Sequence, residues 1–272
     1  MRCSIQAMKL LLVIAMLVAT IAPRTATTEN RSAAPEEQQP ATAPSCPEMA
    51  TALTTLMRND ARVRDWANLA RYRDANRSLP PSEPARVVFM GDSITDAWPQ
   101  RAPEFFAGRS YVGRGISGQT TPQMLVRFRR DVIDLKPRVV VILAGTNDIA
   151  GNTGAMTDDD IQGNLASMAQ LAKANGISVV LASITPVSAY HTSPTGVPQT
   201  SSRPMTRIRA INAWIKEYAA KNGHIYLDYF SAMVDDKGLL REDLSGDDLH
   251  PNAAGYAVMG PLAQQAVAAA AR

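Results

Sequence analysis

Side chains that ligate metals or form disulfides are scarce in this chain, whose 272 residues include three histidines and two cysteines. Cys3 precedes an apolar run and Cys46 stands alone well beyond it, so no internal disulfide is expected once the leading segment is removed. No cluster of His, Cys and acids has metal-ligand spacing, and neither a metal nor any other cofactor is expected. Charge of one sign is equally thin. A net charge of +3 without any long run of Lys or Arg gives no case for a nucleic-acid partner. The Arg127, Arg129, Arg130 stripe reads as the solvated face of a helix. Long apolar runs are also missing: Leu10 to Ala22 covers about 13 residues, short of the roughly 20 that span a bilayer.

What that run does resemble is the centre of a secretory signal peptide. Arg2 and Lys9 precede it, and small residues with Pro23 follow, in the charged, apolar and polar order of such segments. Residues 1–26 are read as the signal, with cleavage after Ala22 or Ala26. The mature chain is expected to be exported, periplasmic or secreted, and not stably inserted in a membrane. Residues 27–47 hold Pro35, Pro40, Pro44 and Pro47 among Ala, Thr, Glu and Gln, a composition that buries no core and reads as a disordered linker. The domain is placed at 48–272. It opens with a helical lead-in over 48–80, where Trp66, Leu69 and Tyr72 recur at helical spacing until Pro80 and Pro81 stop it.

From Arg86 onward, short apolar runs alternate with amphipathic stretches. Strands are expected at Val87–Met90, Tyr111–Val112, Val139–Leu143, Ser178–Ala182 and Ile225–Leu227, and their Val, Ile and Leu content suits a parallel sheet covered on both faces. Thr121 followed by Pro122 reads as a helix cap and first helical position, and Met124, Phe128, Val132 and Leu135 as the stripe that this helix buries. Thr157 and Asp160 form a capping box ahead of Ile161, Leu165, Met168 and Ala172. Met205, Ile208, Ile211, Ile215 and Tyr218 make a further stripe ended by Gly223. A last helix from about Asn252 is expected to kink or break at Gly260–Pro261. The alternation implies an α/β fold, a three-layer α/β/α sandwich.

In such sheets ligands bind beyond the carboxyl ends of the strands. Gly91-Asp92-Ser93-Ile94-Thr95 follows the first strand, Gly113 to Thr120 the second, and Gly145-Thr146-Asn147-Asp148 the third; Asp247-Asp248-Leu249-His250-Pro251-Asn252 precedes the final helix. Acyl transfer to a serine needs a hydroxyl, a base, a group that orients the base, and donors for an oxyanion. Ser93, in a tight strand-to-helix turn, is the candidate hydroxyl. Among the histidines, His191 lies in a Pro/Ser/Thr-rich loop and His224 opens a strand, which leaves His250 as the candidate base. Asp247, three residues upstream, can reach its second ring nitrogen. Asp248 would point the other way and is read as solvent-facing. Asp92 and Asp148 read as loop-holding acids.

These blocks resemble those of the GDSL-type esterases, or SGNH hydrolases, in order and spacing from about Trp66 onward. Ile94 stands where the eponymous motif has Leu, a volume-conserving change. The resemblance implies a flavodoxin-like fold with a five-stranded parallel sheet, Ser93 as nucleophile, His250 as base and Asp247 as its orienting acid. It also implies an oxyanion hole from the Ser93 and Gly118 N–H groups and the Asn147 side chain. Gly113-x-Gly115-x-x-Gly118 matches a dinucleotide fingerprint only literally: its strand is poor, the helix is delayed, and the next strand-end acid, Asp148, lies too far on. A Gly-x-Ser-x-Gly elbow is absent, so the larger α/β-hydrolase pattern is not indicated. The expected activity is cleavage of a small-molecule or carbohydrate ester, with short acyl groups favoured. A lipid acyl hydrolase of lysophospholipase or thioesterase type, and a non-catalytic acyl-glycan binder, are the alternatives. The loop from Thr185 to Pro204 is expected to wall the pocket, with Tyr190 and His191 lining it.

Overall fold

The computed structural model describes residues 45–81, 83–191 and 196–272, so the signal-peptide reading and most of the linker reading fall outside it. Within residues 1–63, the described portion is helical, the body of α1 (Cys46–Arg64). This helix begins inside the stretch read as linker. Its signal is a capping box: the Ser45 N–H donates to Glu48 Oε2 at 2.6 Å, and the Ser45 hydroxyl accepts from the Glu48 N–H at 3.4 Å.

Residues 64–272 form the α/β unit. The expected lead-in is not one continuous helix. Asp65 accepts the Leu69 and Ala70 N–H groups on its carboxylate, at 2.7 and 3.0 Å, and so offers the backbone an alternative to the helical ladder. Asn68 turns left-handed with φ 52°, and helix returns only as α2 (Arg73–Arg77). Then follow β1 (Val87–Gly91), α3 (Ser93–Arg101), β2 (Tyr111–Gly115), α4 (Thr121–Asp131), β3 (Val139–Leu143), α5 (Thr146–Ile149) and α6 (Asp158–Ala174). The remainder is β4 (Ser178–Ala182), α7 (Gln199–Ser202), α8 (Met205–Asn222), β5 (Ile225–Leu227), α9 (Tyr229–Met233) and α10 (Ala253–Ala270).

The strands pair in parallel in the order β2-β1-β3-β4-β5, a doubly wound, flavodoxin-like sheet. Side chains alternate between its faces. Val88, Met90, Val140, Ile142, Val179 and Leu181 face Met124 and Phe128 of α4, Ile161 and Leu165 of α6, and Ile208 and Ile211 of α8. Val87, Phe89, Val139, Val141, Leu143 and Val180 face Ile94 and Trp98 of α3, Tyr229 of α9, and Tyr256 and Met259 of α10. Covering both faces is why these strands read as unbroken apolar runs.

Three expectations need correction. The cap of α4 is Thr120, whose N–H donates to Gln123 Oε1 at 3.0 Å, because Thr121 is taken by Asp148: its N–H and hydroxyl both donate to Oδ1, at 2.9 and 2.5 Å. Helix α10 runs unbroken through Pro261; Met259, Ala263, Ala266 and Val267 are all buried on the sheet, and that shared packing offsets the one lost backbone bond. Arg127 is not on a solvated face but is fully buried, donating to Gln119 Oε1, Asp131 Oδ2 and the Gly91 carbonyl at 2.6, 3.1 and 2.9 Å. Arg129 remains exposed, and Arg130 is half-buried with one guanidinium nitrogen on the Leu69 carbonyl.

Gly115, at the end of β2, permits a close approach of backbone to backbone at this sheet edge. A Cβ there would lie 2.1 Å from the Asp96 nitrogen, 2.5 Å from the Thr95 carbonyl carbon and 2.6 Å from the Asp92 oxygen. All three are backbone atoms of the cap and first turn of α3, which cannot rotate aside. Gly115→Ala is expected to lower unfolding free energy by about 3 kcal/mol, at the upper end of overpacking effects. Urea denaturation checks this; a loss under about 1 kcal/mol would mean that the turn yields easily.

Candidate active site

The order of strands reverses between β1 and β3, and the crevice at such a switch point is where open α/β sheets hold ligands. Ser93 opens α3 directly beyond β1. Asp92 caps that helix by accepting the Ile94 N–H on Oδ1 at 3.0 Å. As the first helical residue, Ser93 has an N–H without an intrahelical acceptor, at the positive end of the helix dipole.

The second element is the loop ahead of α10. Asn252 caps α10 by accepting the Gly255 N–H at 3.0 Å, and the buried Leu249 anchors the loop in the core. Asp247 Oδ1 accepts the Leu249 and His250 N–H groups at 3.2 and 2.7 Å, which turns Oδ2 toward the imidazole, 2.7 Å from Nδ1. The other ring nitrogen, Nε2, lies 2.9 Å from Ser93 Oγ. A hydroxyl, an imidazole and a carboxylate thus stand in one hydrogen-bonded line. Partial burial alone would raise the Asp247 carboxyl; the His250 N–H and ring, with the Leu249 N–H, outweigh it and hold the group below the usual carboxylate range. Asp247 is therefore ionised at neutral pH and can accept from Nδ1–H, which turns Nε2 toward the Ser93 hydroxyl.

The third element is the pair of loops after β2 and β3. Gly118 has φ 79°, and its carbonyl accepts from Asn152 Nδ2 at 3.1 Å. Among the described residues its N–H meets no backbone acceptor. Asn147 is buried and donates one amide hydrogen to the Gln119 carbonyl at 3.0 Å, which fixes the amide and spares its second hydrogen. Asp148, whose carboxyl burial pushes up and the Thr121 hydroxyl and N–H pull back down, braces this loop against α4. Both Asp92 and Asp148 hold loops by hydrogen bonds.

Two expectations fare differently. Asp248 is not solvent-facing: it is 2% exposed, because a left-handed φ of 66° turns its carboxylate inward onto the segment after β4. Tyr190 and His191 are not hydrogen-bonded to Ser93 or His250. The Tyr190 hydroxyl donates to Asp235 Oδ2 and His191 Nδ1 lies on Asp248 Oδ1, at 2.5 and 3.0 Å. Sequence reasoning also missed Arg203, buried beside this region with Nε on Thr146 Oγ1 at 3.1 Å and Nη1 on Gln199 Oε1 at 2.7 Å. No periodicity or spacing marked it, since its partner Thr146 lies 57 positions away. Among the described residues, no group of three or more His, Cys, Asp or Glu is placed to hold a metal ion, and no helix is long and apolar enough to cross a membrane.

The model of the GDSL-like Lipase/Acylhydrolase family matches residues 89–258, a stretch that contains Ser93, Gly118, Asn147, Asp247 and His250. A crystal structure of a Bacteroides fragilis protein described as an acylhydrolase is 45% identical with a TM-score of 0.71, over 76% of this chain and 99% of that one. Esterase TesA of Pseudomonas aeruginosa is 36% identical over 110 residues, 36% of this chain and 53% of TesA. The uncharacterized lipoprotein YqeF of Bacillus subtilis is 34% identical over 76 residues, 27% of this chain and 31% of that protein. The chain thus spans between about a third and about half the length of these two curated relatives.

Asp92 yields a prediction about stability. It is fully buried, Oδ2 has no hydrogen-bond partner among the described residues, and burial pushes its carboxyl up to about 6 against the pull of the Ile94 N–H. The folded state therefore holds this proton more tightly than the unfolded chain. That contribution is complete below about pH 4 and is lost as pH rises through about 6. Asp92→Asn is expected to be stabilised relative to the parent at pH 8, by up to about 3 kcal/mol, with the advantage vanishing near pH 4. Melting temperatures of both proteins across that range test this; parallel curves would sink it.

Proposed function

Because the chain belongs to the GDSL-like lipase/acylhydrolase family, we propose that it hydrolyses carboxylic esters through a covalent acyl-enzyme on Ser93. The observation that carries this reading is the line Ser93 Oγ, His250 Nε2, His250 Nδ1, Asp247 Oδ2, with separations of 2.9 and 2.7 Å across its two hydrogen bonds. Ser93 Oγ attacks the ester carbonyl carbon while His250 Nε2 takes the hydroxyl proton. The carbonyl oxygen becomes an oxyanion, met by the Ser93 and Gly118 N–H groups and the second amide hydrogen of Asn147. Collapse expels the alcohol, which leaves with the proton from His250. Water then repeats the sequence on the acyl-serine and releases the acid and the free hydroxyl. Asp247 keeps the imidazole in the required tautomer and balances the charge it gains.

On the acyl side the neighbourhood of Asn147 favours short groups such as acetyl. Thr146, the neighbour of Asn147, is buried and accepts from the buried Arg203 Nε at 3.1 Å, and such polar surroundings suit a small acyl group better than a long aliphatic chain. The alcohol is then a small molecule or a carbohydrate. Residues 1–26 direct export, and the domain of residues 48–272 acts in the periplasm or outside the cell, without metal or cofactor.

A fluorophosphonate probe is expected to label the protein stoichiometrically at Ser93, and Ser93→Ala to lose both labelling and p-nitrophenyl acetate hydrolysis while melting at an unchanged temperature. Asp247→Asn should reduce kcat by about 10³–10⁴, as loss of the orienting carboxylate does in serine triads. Hydrolysis that survives Ser93→Ala would overturn the mechanism. Folded parent protein that the probe leaves unlabelled would favour an acyl-glycan binding role instead.

A further inference from the structure

Two adjacent acids in the histidine loop face opposite ways. Asp247 serves His250, whereas Asp248 is committed to the segment that leaves β4. Its Oδ1 accepts from Ser188 Oγ at 2.5 Å, the Tyr190 N–H at 3.1 Å and His191 Nδ1 at 3.0 Å; Oδ2 accepts the His191 N–H at 2.8 Å. Its own carbonyl accepts the Ser188 N–H at 3.0 Å. On the other flank, the Leu240 N–H donates to the Val187 carbonyl at 3.0 Å. The segment is therefore laced to the loop that carries His250, chiefly through one side chain.

The backbone at Asp248 makes the lacing conspicuous. Its φ of 66° lies in the left-handed region, where a side chain is sterically disfavoured and glycine is at ease. A carboxylate buried to 2% exposure at such a position needs partners, and all four of its contacts come from Ser188, Tyr190 and His191. The same φ separates the two neighbouring carboxylates, so neither competes for the other's histidine. The imidazole of His191 is held through Nδ1 by Asp248 and is partly exposed.

We propose that Asp248 is a positioning residue for substrate selection: it locks Ser188–His191 at a set distance from His250, as the wall that an ester must pass to reach Ser93. The proposal rests on the ester-hydrolase reading above. Without the carboxylate, the Tyr190 and His191 N–H groups lose their acceptor and the wall loosens, while Asp247, His250 and Ser93 keep their own bonds.

The test compares the full parent chain with Asp248→Gly, which removes the carboxylate and relieves the φ, and Asp248→Asn, which keeps one acceptor oxygen and tolerates the φ. Hydrogen–deuterium exchange at the Tyr190 and His191 amides reads the lock without any turnover. Kinetics on p-nitrophenyl acetate and octanoate read selection. In Asp248→Gly, amide protection is expected to fall about tenfold, and the acetate-to-octanoate ratio of kcat/KM to change about tenfold, mainly through KM. Asp248→Asn should lie between the two. Unchanged protection overturns the lock, and lost protection with an unchanged ratio overturns selection. An equal fall of kcat on both esters would assign Asp248 to His250 and overturn the proposal as well. A parent chain that neither reacts with fluorophosphonate nor cleaves either ester overturns the hydrolase reading and the selection role together, whereas a reactive parent with an unchanged variant ratio overturns the selection role alone.

Discussion

The buried guanidinium of Arg127 is the constraint on which the geometry around Ser93 depends. It reaches the Gly91 carbonyl, one residue before Asp92, and the Gln119 side chain, one residue after Gly118, while its charge is matched by Asp131 within the same helix. One planar group thus sets the spacing between the turn that carries the serine and the loop that carries the Gly118 N–H. Asp131 is held in turn by Asn76 Nδ2 at 2.9 Å, and Asn76 Oδ1 accepts from Arg114 Nε at 2.7 Å, so the network runs back to α2. Removing one partner from a buried pair of this kind typically costs about 3–5 kcal/mol, against a total stability of about 5–15 kcal/mol for a domain. A rigid hub suits the proposed oxyanion site, whose donors would stand ready before charge develops.

Around this hub the electrostatics are divided by loop. Asp247 is partly open to solvent and stays charged through hydrogen bonds, which suits the role proposed for it beside His250. Asp92, the residue next to the hub's Gly91 anchor, is buried, and burial pushes its carboxyl up to about 6. Asp148 spends its carboxylate on Thr121, tying the Asn147 loop to the start of α4.

Much of the fold was legible in the sequence because burial on both faces writes a plain signal. The five apolar segments are strands with nearly the expected bounds, and the stripes on α4, α6 and α8 are the ones that pack on the sheet. Ser93, Asp247 and His250 were nameable because each sits in a short polar block next to a regular element, and those blocks come together. The failures share a cause. Arg127 reads as solvated because nothing local shows that its acceptors are a carbonyl 36 residues away and an amide eight residues away. Asp248 reads as exposed because its direction depends on a left-handed φ, and its partners lie 57 to 60 positions upstream. The lead-in reads as one helix because spacing alone does not reveal that Asp65 captures the next turn's N–H groups. Pro261 reads as a break because its local penalty is visible in sequence while the packing that offsets it is not.

The separation of 157 positions between the serine hydroxyl and the imidazole has a temporal meaning. The loop bearing His250 runs into the cap of the last helix, α10, so the placement of the imidazole is tied to the packing of that helix. On the proposed reading, an unfolded chain would carry its serine without a base, and the linear order of the blocks would withhold reactivity until the surrounding walls stand.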